Sequence, residues 1–194
     1  MGFSSPLSST RNIVASKKRA QVSAEKVKNP ALGAYEAACL MGVHWTRAPK
    51  MAANGEIATR ELSWSSDDHR LRVYSMLSAN ANWHAYEDLL ASGGHRRRPR
   101  ANAHLRAPML GELGKIEQHI EFADAVSANE ASEILGCYHS ALARMVEGGR
   151  LVGRILISHR EGPSRTWIFS RRSCEENVAQ YLKGSSAGRP RTGL

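Results

Sequence analysis

Residues 129–151 read NEASEILGCYHSALARMVEGGRL. The fold turns on whether this is a plain pair of amphipathic helices or a unit built to hold one helix out toward a partner. Ser127 followed three residues later by Glu130 is the pattern in which a hydroxyl and a carboxylate cap each other's backbone N–H groups, so a helix is expected to start there. Ala131, Ile134 and Leu135 give that helix an apolar face, Gly136 breaks it, and Leu142, Met145 and Val146 give a second run its own face. Gly148 and Gly149 stop the second run. Downstream, RLVGRILISH (150–159) and SRTWIFS (164–170) are β-prone and joined by the turn-forming REGP, and SCEENVAQYLK (173–183) closes as a helix. The expected order is helix, tight turn, helix, β-hairpin, helix.

The chain carries this pattern twice. Shifted by 94 residues, AYEAACLMGVHWTRAPKMAANGEIATR (34–60) aligns with ANEASEILGCYHSALARMVEGGRLVGR (128–154). Identities fall at Ala34/Ala128, Glu36/Glu130, Ala37/Ala131, Gly42/Gly136, Met51/Met145, Gly55/Gly149 and Arg60/Arg154, with apolar matches between them. RLRVYSML (70–77) then pairs with RTWIFSRR (165–172), and AYEDLLASGGHRRRPR (85–100) with NVAQYLKGSSAGRPR (177–191). A tandem duplication of one module is expected, each copy ending in a helix, a Gly/Ser break and an Arg-Pro-Arg arm. The divisions are a basic flexible segment at 1–29, a first module at 30–92, an Arg-rich linker with a short helix at 93–123, a second module at 124–183, and a basic arm at 184–194. Within the linker, LGELGKIEQHIEFA (110–123) places Leu113, Ile116 and Ile120 at helical spacing.

Composition narrows the partners. The chain has 27 Lys+Arg against 18 Asp+Glu, a formal net charge of +9 over 194 residues, which favours a polyanion. Only 6% of residues are aromatic, so two small cores joined by basic connections are expected in place of one large core. No apolar run reaches the length of a membrane span, and Cys39, Cys137 and Cys174 lack metal-ligand or paired spacing, as in a reducing cytoplasm.

The stretch EASEILGCYHSALARMVEGGRLVGR, followed by a strand and RRSCEENVAQYL, resembles the excisionase / MerR-type DNA-binding domain. The likeness rests on Glu130-Ala131-Ser132, Ile134-Leu135-Gly136, a recognition helix from Tyr138 to Glu147, and Gly149-Arg150-Leu151 leading into the wing. It covers about 60 residues near the C-terminus and, more weakly, as many near the N-terminus. It implies a mainly α fold with small β-hairpin wings, in two tandem winged helix-turn-helix modules, and binding of double-stranded DNA through the second helix of each pair. Pro49 lies inside the first copy's recognition helix; proline is tolerated there only in the first turn, so that helix is expected to begin late, near Thr46. The first wing tip, SSDD (65–68), is acidic.

On this reading phosphate contacts supply affinity and base-edge contacts supply specificity. In the second copy the candidates are Tyr138, His139, Ser140 and Arg144 on the helix, Arg154, His159, Arg160 and Arg165 on the wing, and Arg171 and Arg172 before the last helix. In the first they are His44, Trp45, Thr46, Arg47 and Lys50, with His69, Arg70 and Arg72 on the wing. Arg96, Arg97, Arg98 and Arg100 in one arm and Arg189 and Arg191 in the other flank prolines as minor-groove hooks do. Trp45 and Trp167 are expected to pack more than to touch bases.

No nucleotide loop, nucleophile elbow or metalloprotease motif occurs, so neither an enzyme nor a cofactor or metal site is expected. The expected protein is a cytoplasmic, nucleoid-associated transcriptional regulator of bacterial, plasmid or phage type, working beside RNA polymerase or a recombinase, alone or as a homo-oligomer. An architectural factor of a mobile element (excisionase, terminase small subunit, partition or replication protein) and an interaction protein in which only the second module binds DNA stand as alternatives. A linker over 93–110 that extends to about 55 Å would let the modules sit independently, on an asymmetric or directly repeated site.

Overall fold

The computed structural model describes residues 28–63, 71–93, 100–159 and 165–185. It is mainly helical, with two three-stranded antiparallel sheets. The first unit runs β1 (Ala31–Leu32), α1 (Ala34–Met41), α2 (Arg47–Ala53), β2 (Thr59–Leu62), β3 (Leu71–Ser75) and α3 (Met76–Ala91). A 3-10 turn (Ala103–Leu105) and α4 (Arg106–Gly114) follow. The second unit repeats the order as β4 (Ala125–Val126), α5 (Ala128–Leu135), α6 (His139–Glu147), β5 (Gly153–Ile155), β6 (Trp167–Ser170) and α7 (Arg171–Ser185).

The repetition reaches individual hydrogen bonds. Gly33 and Ser127 are the N-caps of α1 and α5, and each donates its N–H to the carboxylate three residues on, Glu36 at 2.7 Å and Glu130 at 2.8 Å. Gly42 and Gly136 end those helices in the left-handed region, at φ 65° and 61°. Ser75 and Ser170 cap α3 and α7 by accepting from Ser78 and Ser173, each at 3.1 Å. Both sheets have the same order, with β3 or β6 in the middle: Ala31 faces Ser75 and Arg60 faces Val73, while Ala125 faces Ser170 and Arg154 faces Ile168. The offset is therefore 94 residues up to β2/β5 and 95 from β3/β6 onward, because the second hairpin is one residue longer. The closing helices pair at 95 as well, which corrects the shorter offset expected for 85–100 and 177–191. The short strands β1 and β4 that open each unit were not expected; two residues carry no periodicity to read.

The two units do not sit apart. One buried cluster contains Ala31, Leu62 and Val73 from the first unit and their counterparts Ala125, Leu156 and Ile168 from the second. Equivalent residues meeting one another are the mark of a two-fold relation between copies. Reciprocal contacts agree: Arg60 donates to the carbonyl of Ala125, and its counterpart Arg154 donates to the carbonyl of Ala31, the counterpart of Ala125. Each unit keeps a core of its own, as expected, but the shared cluster joins them, which corrects the expectation of modules free on a stretchable linker. Within the linker, Met109 and Leu113 of α4 are buried in the first unit's core. The helical reading of 110–123 also shifts: α4 ends at Gly114, and Ile120 enters the central cluster beyond it, its carbonyl accepting from Ala31 at 2.8 Å.

Candidate nucleic-acid interface

In α6 the inward row is Leu142, 1% exposed, with Met145 and Val146 packed beside it. The outward row is His139, Ser140 and Arg144. Tyr138, the N-cap residue, is 87% exposed and its side chain caps nothing, while its carbonyl accepts from the N–H of Ala141 at 2.9 Å. An exposed helix start without a side-chain cap, and a cation one turn on, suit a phosphate or a base edge. These four residues stand together, as the sequence suggested.

In α2 the pattern recurs. Ala48 and Met51 are buried, while Arg47, Pro49 and Lys50 are exposed. Thr46 is the N-cap, so Pro49 is the third helical residue, inside the first turn where its missing N–H costs no intrahelical bond. The late start foreseen from the proline is what the structure has. His44 Nδ1 and Thr46 Oγ1 lie 2.8 Å apart and hold the approach to the helix. Trp45 sits in an aromatic row, its ring 5.7 Å from that of His44 and 5.8 Å from that of His159, which in turn meets Tyr35 edge-on at 5.6 Å. His159 therefore leans from the second unit onto the first. Trp167 stacks on Phe169 at 5.9 Å in the second core.

Three arginines expected at DNA are otherwise engaged. Arg154 is 5% exposed, and its two terminal nitrogens meet both oxygens of the fully buried Glu36 at 2.8 and 2.9 Å. That guanidinium joins the two units and is not available to a phosphate. Arg100, read as part of a minor-groove hook, donates to the carbonyl of Met41 at 2.6 Å and to Asn82 at 3.0 Å, and lies over the ring of Tyr86. With Arg106, which donates to the carbonyl of Leu40 and lies over Trp83, it neutralises the carbonyl end of α1, where cations are favoured. Burial holds the pKa of Arg100 and of Arg106 below the usual arginine range. Arg72 pairs across the hairpin with Glu61 at 2.6 Å, and that bond raises its pKa.

Arg165, Arg171 and Arg172 are exposed, the last two at the start of α7, where Asp124 accepts their backbone N–H groups through its carbonyl and its carboxylate. His69, Arg70, Arg96, Arg97, Arg98, Arg160, Arg189 and Arg191 lie outside the described residues, as do the acidic tip at 65–68 and the segment 1–27.

The sequence reading missed the reciprocal set of Arg60, Arg154 and Glu36. Its signal was present: Glu36/Glu130 and Arg60/Arg154 are the charged identities of the repeat, and a charged pair kept in both copies points to a shared partner. Arg60 itself donates to the carbonyls of Ala123 and Ala125, and burial lowers its pKa. Among the described residues no cluster of three or more His, Cys, Asp or Glu is placed to hold a metal ion, and no helix is long and apolar enough to cross a membrane. The chain matches no family model, no curated protein and no solved structure.

Proposed function

We propose that this chain is a sequence-specific double-stranded DNA-binding protein built from two winged helix-turn-helix units, acting on transcription or on DNA architecture by occupying its site. The observation that carries the proposal is the outward face of α6, where His139, Ser140 and Arg144 stand exposed beside an uncapped helix start while Leu142 anchors the helix from behind. The net charge of +9 supplies the long-range attraction to phosphate. Arg144 is assigned to a base edge or phosphate in the major groove, Arg165, Arg171 and Arg172 to the backbone, and Arg47 and Lys50 to the equivalent contacts of α2. Arg154 and Arg100 are left out of this set because both are engaged within the protein.

A second reading follows from the aromatic row at Trp45. The ring of His159 from the other unit lies 5.8 Å from that of Trp45, just ahead of α2, which favours a first unit that supports the second instead of reading bases. Gel-shift titration of the full chain on sites recovered by genomic footprinting tests both readings. Arg144→Ala, Arg47→Ala and Lys50→Ala each weakening the specific footprint supports reading by both units. Weakening with Arg144→Ala alone supports the second reading, and no binding at low salt rejects DNA as the partner.

A further inference from the structure

Resting on the DNA reading above, we infer that a single chain recognises an inverted pair of unlike half-sites, its internal two-fold standing where a homodimer's symmetry axis would stand. The interface between the units is isologous. Arg60 reaches the carbonyl of Ala125 and Arg154 that of Ala31, and the counterpart pairs Leu62 and Leu156, Val73 and Ile168 share one buried cluster. An isologous contact uses the same surface on both partners and closes on itself. Here that surface is already filled within one chain, so no second copy is needed to complete it.

The two-fold that relates the units also relates α2 to α6. Duplex DNA has two-fold axes perpendicular to its length, and a protein whose reading heads obey such an axis meets half-sites of opposite direction. This replaces the directly repeated arrangement expected from the sequence. The half-sites cannot be identical, because the exposed positions differ: Thr46, Arg47 and Lys50 in α2 correspond to Ser140, Ala141 and Arg144 in α6, with Pro49 altering the first turn of α2. A homodimer of one unit has no means of telling left from right at an inverted site. Two unlike units fused on a two-fold do, so the site carries direction.

The test uses the full chain and duplexes selected from a random pool, followed by measured affinities for rebuilt sites and the mass of the complex. The expected result is two different motifs in inverted orientation, bound by one chain. Reversing one motif to make a direct arrangement should weaken binding by at least about tenfold at every spacing tried. Arg144→Ala should blur one motif and Lys50→Ala the other; both side chains are exposed, so neither change touches the core. Equal or tighter binding of the direct arrangement, recovery of one motif alone, two chains per site, or both substitutions blurring the same motif would each overturn the inference while leaving DNA binding intact. Failure to bind any duplex at low salt would remove the DNA reading, and this inference with it.

Discussion

Replacing Arg154 by methionine removes a guanidinium from the junction of the two units while keeping much of its bulk. Glu36, fully buried, accepts from both terminal nitrogens of Arg154, from the N–H of Ile157 at 2.9 Å and from the N–H of Gly33 at 2.7 Å. Without Arg154 the carboxylate keeps two neutral donors and no countercharge. Stripping one partner from a buried pair costs about 3–5 kcal/mol, since the remaining ion stays desolvated. For a chain of this size that is a fall in Tm of about 6–20 °C. The pseudo-equivalent Arg60→Met should cost less, about 1–3 kcal/mol, because Arg60 gives up hydrogen bonds to two carbonyls of a partly buried site and its removal strands no fully buried charge. The double change Glu36→Gln with Arg154→Met removes both charges and should recover part of the loss, with a coupling of at least about 1 kcal/mol. Equilibrium denaturation of the four proteins measures all of this. An Arg154→Met cost below about 1 kcal/mol, or one no larger than that of Arg60→Met, would refute the reasoning.

Gly42 and Gly136 share a left-handed φ, which costs an alanine about 1–2 kcal/mol, but a Cβ at Gly42 would come within 2.7 Å of Trp83 and 3.1 Å of the Ala103 Cα, whereas at Gly136 nothing lies within 4 Å. Gly42→Ala should therefore lower Tm clearly more than Gly136→Ala, and equal shifts would count against the packing of the linker on α1. Burial, with Arg154 adding to it, depresses the pKa of His119 below the ordinary 6.5. The folded state then binds its proton less readily than the unfolded chain, so this contribution to stability is complete above about pH 6.5 and is lost as pH falls through the folded pKa. His119→Asn should flatten the decline measured between pH 7 and 5, and an unchanged slope would show that His119 is not its source. Ser127→Ala removes the hydroxyl that accepts from Glu130 N–H at 3.2 Å and should cost about 1 kcal/mol by denaturant titration.

The legible parts of this fold were those written locally. Ser127 with Glu130, the glycines at 136 and 42, and the apolar rows of α5 and α6 each report on a few adjacent residues, and the 94-residue repeat carried the reading from the second unit to the first. What lay beyond was set by contacts distant in sequence. Arg154 looks like a surface cation, as most arginines are, and only the neighbouring unit's Glu36 turns it inward. Arg100 resembles a minor-groove hook beside Pro99 until the carbonyl end of α1 is seen to need a cation. The one-residue change of offset was readable in the pairing of 70–77 with 165–172, but the closing helices, with few apolar residues to align, were set at too short an offset. The outward faces of α2 and α6 were legible because each helix has one apolar row, and what that row leaves over must face solvent.

The most direct test of the central claim is the affinity of the full chain for its selected duplex across a salt series, set beside that of Arg144→Ala and Arg100→Ala. Binding that weakens linearly in log–log form with rising salt is expected, with a slope shallower by about one unit in Arg144→Ala if that residue meets a phosphate, or unchanged with relaxed sequence preference if it meets a base. Arg100→Ala should lower stability and leave the slope alone. Affinity that ignores salt, or a slope that falls with Arg100→Ala and not with any exposed arginine, would contradict the account.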